Sequence, residues 1–581
     1  MKTKRELSSK KTASMAVAVP ALLAAMSWSL ADPARALDMG YTMGVLEATG
    51  YGEVSGVEIN NGQTLYWQGI PYAKPPVGAL RWKAPEPPEP WTGVLDATGE
   101  APLCPQMSAD GAVGAEDCLT LDIFRPNTEE VGLPVLVYIH GGNNQGGTSR
   151  EINAEALAIS ANAVVVSLNY RLGLLGFNAL PALETGNPLE DSGNYTLLDF
   201  ARALDWLKEN AAAFGGDGTN ITISGFSAGG RDVMAMLISP VFAGKFQKAI
   251  SFSGGMTLAE DEASARLIAE AIAPLAVADG VRTSEEEATQ WLLSTAPEVR
   301  EYLYGLPAER LAGLMTNAGI RMAVFPHLYN DGAVLPAEGY TTTAYNSVPL
   351  MMMTSSTEFS LFARGSSGFG TLDDTQLLAD TGTLAEYEFA IGYGSDLYGL
   401  FNAEESAEKM FANYHAPIYT VWIAWGGDET IVGERMAKLY GSFHGVWVPF
   451  VTARTTGFST VFPEAFDNPG AQDLTAQVGG YVANFLRTGN PNGDGLVDWK
   501  AWDSATTGPT QLILDADSEK ALIRMSEERT KYDDVLAAIE ADTSIPQEQK
   551  QRVITEVLDG RWFSYGLDQH FNNRNPWVGV Q

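Results

Sequence analysis

Short apolar runs of strand length recur along the chain and alternate with segments that have helical spacing. Residues 135–139, 163–167, 221–224 and 349–354 are four such runs, and residues 199–210 repeat apolar side chains with the period of a helix. Runs that are apolar at nearly every position are typical of strands buried on both faces. The pattern therefore predicts an α/β fold, with a large, mostly parallel central sheet flanked by helices.

The length of the chain, 581 residues, would by itself suggest several domains. No linker rich in Pro, Ser or Gly and no long run of charge divides it, so we expect one domain over residues 37–581. Residues 260–325 and 375–440 are periodic and poor in strand runs. We interpret both intervals as helical insertions that cap the site.

The last part of the chain, residues 525–581, is charged and has a helix start signal at Pro546. It ends in a group of aromatic side chains that includes Trp562, Phe563 and Trp577. We expect a helical, aromatic extension that packs onto the body of the protein or onto a partner subunit. The oligomeric state stays open.

The first 36 residues have the three parts of a secretory signal peptide. Basic residues occupy the start, an apolar stretch covers residues 15–30, and Ala-Arg-Ala at 34–36 fits a cleavage site. An uncleaved membrane anchor is the alternative, but the apolar stretch is short for a span and contains Pro20. We therefore expect a secreted or periplasmic protein without stable membrane insertion.

Acidic residues outnumber basic ones by 71 to 37, for a formal net charge of −34. Such a surface repels nucleic acids and anionic membranes, so neither is expected as a partner. The two cysteines, Cys104 and Cys118, are 14 positions apart, and in a secreted chain this pair suggests one disulfide. Neither the cysteines nor the five histidines have the spacing of a metal site, so no metal is expected.

The segment Gly225-Phe226-Ser227-Ala228-Gly229 carries the strongest chemical signal. An apolar strand-like run precedes it and a helix-compatible segment follows, which is the context of a nucleophile elbow. Glycines two positions before and after the serine relieve crowding in the turn. The start of the following helix also favours a developing oxyanion. We therefore predict that Ser227 is a catalytic nucleophile.

A serine nucleophile needs a histidine base, which in this arrangement follows the serine and the acid along the chain. His444 is favoured because it lies in a glycine-bounded loop before an apolar run, where an imidazole can reach the serine. Two other histidines lie beside prolines in segments that read as structural, and a third lies in the tail. The competing candidates are His327, His415 and His570.

The orienting acid must lie between Ser227 and His444. Glu358 follows the buried run at 349–354, where a carboxylate can accept the Nδ1 proton of the histidine. Asp331 and Asp428 compete, but each adjoins a glycine, where Asp is typical of turns. The pattern alone favours Glu358 by a small margin.

The segment His140-Gly141-Gly142-Asn143 directly follows a predicted strand. It is similar to the loop whose backbone N–H groups form an oxyanion hole together with the residue after the nucleophile. The donors here would be Gly142, Asn143 and Ala228. We interpret His140 as a residue that holds the loop in place.

These motifs together resemble type-B carboxylesterases, the cholinesterase-like branch of the α/β-hydrolases, from about residue 50 to about residue 525. The serine signature of that family is reproduced by Phe-Gly-Gly-Asp, Asn-Ile-Thr-Ile and Gly-Phe-Ser-Ala-Gly, and its second signature by Glu-Asp-Cys-Leu-Thr-Leu-Asp-Ile. The matching segments are 69–73, 116–123, 169–173, 214–217, 220–223, 225–229 and 488–492.

The resemblance implies an α/β-hydrolase fold with helical cap insertions, a Ser-Glu-His triad and a small-molecule ester substrate. It also implies that Cys118 pairs with Cys104, that Glu358 and His444 are the acid and the base, and that no cofactor is used. The His-Gly dipeptide at 444–445 and the apolar residues 448–451 match a family histidine that precedes a strand.

Two departures from the family bear on specificity. The usual glutamate before the serine is Phe226, and the third glycine of the oxyanion loop is Asn143. Loss of a negative charge beside the nucleophile weakens the case for a cationic alcohol. A non-catalytic scaffold on the same fold is an alternative, but all three triad positions are filled. An amidase, a lactonase or a hydrolase of bulky esters remains open, because the pocket decides specificity.

Overall fold

An eleven-stranded mixed sheet forms the centre of the protein. The structure, a computed structural model, describes residues 44–573 except 316–317, 367, 506–507 and 509–510. The predicted signal peptide at 1–36 and the side chain of Trp577 lie outside the described residues. The sheet has the strand order β16-β15-β14-β13-β12-β11-β9-β10-β8-β4-β3.

The described strands fall into this sheet, a three-stranded sheet of β1, β2 and β5, and a hairpin of β6 and β7. Their bounds are β1 Leu46–Thr49, β2 Gly52–Ser55, β3 Val57–Ile59, β4 Thr64–Pro71, β5 Val94–Asp96, β6 Gln106–Ser108, β7 Gly111–Val113, β8 Thr120–Pro126, β9 Leu133–Ile139, β10 Val164–Leu168, β11 Gly216–Phe226, β12 Lys248–Phe252, β13 Leu350–Ser355, β14 Ile418–Ile423, β15 Gln511–Ala516 and β16 Ala521–Ser526.

The described α-helices are α1 Ala154–Ala161, α2 Gly173–Gly176, α3 Pro188–Asp191, α4 Tyr195–Asn210, α5 Ala228–Ile238, α6 Asp261–Ala278, α7 Glu285–Leu292, α8 Pro297–Gly305, α9 Ala308–Ala312, α10 Ser360–Arg364, α11 Asp374–Ala379, α12 Thr381–Asn402, α13 Glu404–Phe411, α14 Glu429–Val432, α15 Glu434–Leu439, α16 Trp447–Thr452, α17 Pro469–Thr488, α18 Tyr532–Ala541, α19 Gln547–Arg552 and α20 Tyr565–His570. A π-helical turn at Val553–Val557 follows α19.

The seven strands from β10 to β15 through the middle of the sheet pair in parallel, and antiparallel strands close both edges. Every residue of β9, β10, β12 and β13 is buried, because helices cover both faces. Burial on both faces explains why these strands read as unbroken apolar runs in the sequence. The predicted α/β fold with a large central sheet is confirmed.

Parallel strands direct their carboxyl ends to the same edge of a sheet, where reactive groups of such folds gather. The segments after β9, β11, β12 and β13 all leave the sheet at this edge. The backbone N–H of Ser227 donates to the carbonyl of Phe252 (2.8 Å), and that of Ser253 to the carbonyl of Met353 (2.7 Å). These bonds tie the successive strand ends together.

Two expectations about local structure are wrong. The interval 375–440, interpreted as a helical insertion, contains β14, which pairs with β13 and β15 inside the main sheet. The long helical part therefore ends with α13 at Phe411. The residues after His444, expected as an apolar strand at 448–451, form α16, because a six-residue apolar run suits a buried helix as well as a strand.

The C-terminal segment, residues 532–573, packs against the body of the domain. Trp562 and Phe563 are buried, and the backbone N–H of Trp562 donates to the carbonyl of Ile320 (3.0 Å). A helix begins after Pro546, as the sequence indicates. Within the described part of the chain, no helix has the length and apolar character needed to cross a membrane.

Cys104 and Cys118 form a disulfide bond, as expected. The bond closes a loop that contains the hairpin of β6 and β7. Both cysteines are buried, and Gln106 inside the loop donates to the carbonyl of Gly147 (2.9 Å). The disulfide therefore anchors a loop that touches the segment after β9.

Replacing both Cys104 and Cys118 by Ser should lower the free energy of unfolding by about 3 kcal/mol, since the unfolded chain regains the freedom of a loop of about 15 residues. Urea denaturation of the two proteins measures this difference. A reducing agent should lower the melting temperature of the wild type and leave that of the variant unchanged. Equal stability of the two proteins would contradict a stabilising bond.

Candidate active site

Ser227 occupies a sharp turn between β11 and α5. Its backbone has φ 56° and ψ −116°, a strained conformation for a residue with a side chain. The turn is held by the hydrogen bond from its N–H to Phe252 and by the start of α5 at Ala228. The side chain of Ser227 is 6% exposed and lines a cavity.

Glycines on both sides of Ser227 allow its turn to form. A Cβ on Gly225 would lie 2.2 Å from the carbonyl oxygen of Gly229, and one on Gly229 would lie 2.3 Å from that of Ile139. Both distances are too short for any side chain. The glycine pattern read from the sequence therefore has a steric cause, and β9, β11 and α5 meet here in direct backbone contact.

Glu358 and His444 are paired. The Nδ1 atom of His444 lies 2.5 Å from Oε2 of Glu358, whose side chain is fully buried just after β13. The other carboxylate oxygen accepts hydrogen bonds from the Ser253 hydroxyl (2.5 Å) and the Ser355 backbone N–H (2.9 Å), and a longer one from the Thr354 hydroxyl (3.2 Å). These donors fix the carboxylate and direct its second oxygen toward the imidazole.

The loop that carries His444 is fastened to the residues around Glu358. Two hydrogen bonds hold Ser442 in place: its N–H donates to the Thr357 hydroxyl (3.1 Å), and its hydroxyl donates to the Ile423 carbonyl (2.7 Å). The Nε2 atom of His444 is buried and has no hydrogen-bond partner among the described residues. The ring lines the same cavity as Ser227, so Nε2 is available to a group in that cavity.

Aromatic rings enclose the imidazole of His444. The ring centroids of Phe226, Phe362 and Tyr398 lie 4.6, 5.1 and 5.7 Å from that of His444. Burial raises the pKa of the Tyr398 phenol well above its usual range, so the phenol stays protonated. The rings keep water away from the histidine and restrict its orientation.

The loop after β9 contributes two residues to the cavity lining. Gly142 and Asn143 line the cavity and have φ values of 94° and 58°. A Cβ on Gly142 would lie 2.1 Å from the Gly146 carbonyl oxygen, so only glycine fits there, whereas Asn tolerates its left-handed conformation at the next position. Among the described residues, the N–H groups of Gly142, Asn143 and Ala228 have no acceptor.

His140 supports this loop from behind. Its ring is buried, stacks on Tyr170 with centroids 4.3 Å apart, and has Nδ1 2.9 Å from the Gly141 carbonyl oxygen. Burial lowers the pKa of His140 from 6.5 to about 4, although the backbone contact partly opposes this. The imidazole is therefore uncharged at neutral pH, and packing it under the loop buries no charge.

A half-buried carboxylate, Glu151, lies beside the loop after β9. It accepts hydrogen bonds from the Gly141 N–H (3.0 Å) and the Tyr138 hydroxyl (2.6 Å). Burial raises the pKa of Glu151, while these two bonds and the charge of a protonated His444 act in the opposite direction. The protein thus has a carboxyl group near His444 even though Phe226 stands directly before the serine.

The cavity next to Ser227 has a volume of about 640 Å³. Its apolar lining includes Met107, Leu314, Ile320, Leu361 and Phe362. Volumes of this order accommodate ligands the size of typical small organic molecules. Across the described residues, no group of three or more His, Cys, Asp or Glu side chains has an arrangement that suits a metal ion.

The competing residues lie elsewhere. His327 is buried with Nε2 2.6 Å from Arg231, His415 is exposed, and His570 lies 3.6 Å from Glu540. Asp331 accepts hydrogen bonds from the N–H groups of residues 333–335, and Asp428 caps α14. None of these five residues lines the cavity that contains Ser227.

Several residues around the site were missed by sequence reasoning. Ser253, Glu151 and Tyr398 have no local motif, and they reach the site only because β12, the loop after β9 and α12 pack together. The C-terminal segment contributes Arg561 to the cavity wall. No signal in the sequence links that residue to Ser227, although the aromatic residues beside it indicated a packed segment.

The fold and this site define an α/β-hydrolase. The model of the carboxylesterase family matches residues 45–376. The para-nitrobenzyl esterase of Bacillus subtilis (strain 168) is 32% identical over 491 residues, which cover 81% of this chain and 94% of that protein. Carboxylesterase 1D of Rattus norvegicus is 31% identical over 484 residues, 75% of this chain and 83% of that protein.

Solved structures agree with these relatives. A PNB esterase structure has a TM-score of 0.61 and 30% identity, covering 83% of this chain and 98% of its own. The Geobacillus stearothermophilus carboxylesterase EST55 has a TM-score of 0.62 and 25% identity, covering 85% and 99%. The chain belongs to the carboxylesterase family and is a carboxylic ester hydrolase. The resemblance inferred from the motifs is confirmed.

The buried neutral state of His140 predicts a pH-dependent stability. Between its folded pKa of about 4 and its unfolded value of 6.5, the unfolded chain binds a proton that the folded protein does not. The contribution of the neutral His140 to the free energy of unfolding is therefore fully present above pH 6.5. It is lost as the pH falls, which lowers the free energy of unfolding by about 3 kcal/mol near pH 4.

Glutamine does not titrate, so the free energy of unfolding of His140→Gln should lack this decrease. The free energy of unfolding of the wild type minus that of the variant should therefore fall by about 3 kcal/mol from pH 7.5 to pH 4. Urea unfolding at several pH values measures it. His415→Gln, which removes an exposed histidine, serves as the matched control. A wild-type-minus-variant difference that does not change with pH would contradict the assignment.

Proposed function

We propose that the protein is a secreted serine carboxylesterase that acts through an acyl-enzyme, with Ser227, His444 and Glu358 as its triad. One observation carries the proposal. His444 is held at Nδ1 by the buried carboxylate of Glu358, and its unpartnered Nε2 belongs to the same cavity as Ser227. This is the relation that a nucleophile, a base and an orienting acid require.

The first half of the reaction forms the acyl-enzyme. Oγ of Ser227 attacks the ester carbonyl carbon while Nε2 of His444 takes the hydroxyl proton. The tetrahedral intermediate collapses when the bond to the alcohol oxygen breaks, and the imidazolium returns its proton to the leaving alcohol. The acyl group then remains on Ser227.

Glu358 stays ionised during this step and stabilises the imidazolium. Its pairing with Nδ1 also selects the tautomer in which Nε2 is free to accept a proton. The donors from Ser253 and Ser355 keep the carboxylate in this orientation. Glu358 acts as an orienting charge and does not take the proton itself.

The N–H groups of Gly142, Asn143 and Ala228 stabilise the negative oxygen of the intermediate. Preorganised backbone donors of this kind lower the barrier because they need not reorient as the charge develops. Their lack of acceptors within the described protein and the left-handed conformations of residues 142 and 143 support this role.

Water completes the cycle. Nε2 of His444 removes a proton from a water molecule, whose oxygen attacks the acyl carbon of the ester to Ser227. The bond to Oγ breaks, the serine recovers its proton from the imidazolium, and the carboxylic acid leaves. Each turnover converts one ester and one water into one acid and one alcohol, and the proposed steps use no cofactor.

Secretion is supported by two independent features. Residues 1–36 have the composition of a signal peptide, and Cys104 and Cys118 are joined in a disulfide. Disulfides form and persist in oxidising compartments outside the cytosol. The small-molecule ester is proposed to bind in the cavity of about 640 Å³, whose size and apolar lining suit a bulky acyl or alcohol group.

Ser227→Ala should lower kcat for ester hydrolysis by at least about 10⁴-fold while the protein stays folded, because the nucleophile is lost. 4-Nitrophenyl esters from acetate to decanoate provide the assay, and circular dichroism checks the fold. A serine-directed fluorophosphonate should label the wild type and not the variant. Normal activity in Ser227→Ala would refute the assignment of the nucleophile.

His444→Ala should reduce kcat to a similar extent, because Ser227 would have no base. The same 4-nitrophenyl ester assay measures it. His415→Ala is the matched control, since His415 is exposed and lies outside the cavity, and it should keep wild-type activity. If His415→Ala were inactive and His444→Ala active, the proposed base would be wrong.

A further inference from the structure

The C-terminal segment builds one wall of the cavity that contains Ser227. Arg321 and Arg561 are joined by a backbone bridge, and the Arg321 side chain donates to the carbonyl of Asp559 (3.1 Å). These contacts bring Arg321, Glu556 and Arg561 into the lining of the cavity. The wall is therefore charged, whereas the lining from Leu361 and Phe362 is apolar.

Arg561 is a buried cation without a carboxylate partner. Its side chain donates to the carbonyl of Val557 (3.0 Å), to the hydroxyl of Ser366 (3.1 Å) and to the carbonyl of Gly319, all of them neutral acceptors. Throughout the described part of the chain, no carboxylate oxygen comes within 4.0 Å of this guanidinium group. The residue is only 2% exposed, so water compensates its charge poorly.

A second guanidinium group lies close by. A Cβ placed on Gly319 would lie 2.8 Å from Nη1 of Arg561 and 3.6 Å from Nη1 of Arg321, so both groups flank this glycine. One carboxylate, that of Asp559, pairs with Arg321 (3.1 Å). Two positive charges thus converge on the wall with one direct counterion.

The balance of charge at the wall is unusual for this protein, which has a formal net charge of −34. Glu556 also belongs to the lining, but it is exposed, so solvent screens its charge. Burial and the neighbouring Arg321 lower the pKa of Arg561 to about 9, although the charge of Asp559 acts in the opposite direction, so the charged form of Arg561 is destabilised in the folded protein. A bound anion would relieve that penalty.

We propose that Arg561 and Arg321 bind an ionised carboxylate on the substrate, so that the esters hydrolysed carry a free carboxylate besides the scissile ester group. Half-esters of dicarboxylic acids carry the carboxylate on the acyl side, and hydroxy acids acylated on their hydroxyl group carry it on the alcohol side. The proposal rests on the function proposed above, since it places the anion in the same cavity as Ser227. Guanidinium groups suit this task because they pair with carboxylates in a fork geometry.

Pairs of matched esters test the proposal. Monomethyl adipate and methyl hexanoate differ only in a terminal carboxylate or methyl group on the acyl side. The pair 4-acetoxybenzoate and 4-methylphenyl acetate makes the same comparison on the alcohol side. In at least one pair, the wild type should show a kcat/KM about tenfold or more higher for the anionic ester, measured by titration of released acid.

Arg561→Gln should remove most of this preference, so that kcat/KM for the anionic ester falls toward that for its neutral partner. A charge-assisted hydrogen bond accounts for a change of about 10- to 100-fold. Arg321→Gln should reduce the preference less, because Asp559 already pairs with that residue.

Arg552→Gln is the matched control, since Arg552 lies in the same segment, pairs with Glu386 and does not line the cavity. It should keep the wild-type preference. If Arg561→Gln fails to fold, the wild-type preference and its partial reduction in Arg321→Gln decide the matter. Equal kcat/KM values for the members of both pairs in the wild type would overturn the inference and leave the proposed esterase intact. If the wild type hydrolysed neither these four esters nor the 4-nitrophenyl esters, the proposed function itself would be refuted.

Discussion

The site depends on the close approach of three backbone segments at the turn that carries Ser227. The carbonyl oxygens of Gly229 and Ile139 occupy the positions where side chains at Gly225 and Gly229 would lie. Contact at this distance joins β11 to α5 and to the end of β9, and the loop with the proposed oxyanion donors begins directly after β9. A methyl group at either glycine would force these backbone segments apart.

Burial of charge is the second constraint. Glu358 has three donors from the ends of β12 and β13 besides its contact with His444, and Glu151 is held by Tyr138 and the Gly141 N–H. Each carboxylate is therefore compensated by groups that also position the reactive loops. Arg561 differs, because its hydrogen-bond acceptors are neutral, and this asymmetry is the basis for the proposed anionic substrate.

Local patterns predicted the central strands because burial on both faces leaves an apolar run that is visible without the fold. The run at 135–139 became β9, and the run at 349–354 became β13 with a shift of one residue. The same reasoning failed for residues 375–440, where β14 lies between helical stretches, and for α16, whose six residues are too few to show a helical period.

Patterns along the chain were enough to predict the class of fold, the turn around Ser227, the family and the candidates His444 and Glu358. These features depend on residues that are neighbours along the chain or on motifs kept in order. The contacts between distant side chains became known from the folded protein alone: the contact between His444 and Glu358 spans 86 positions, and Arg561 reaches the cavity from the C-terminal segment. Packing of the sheet and helices brings such residues together, and a pattern of apolar and polar residues describes only neighbours along the chain. Local patterns therefore cannot predict these contacts.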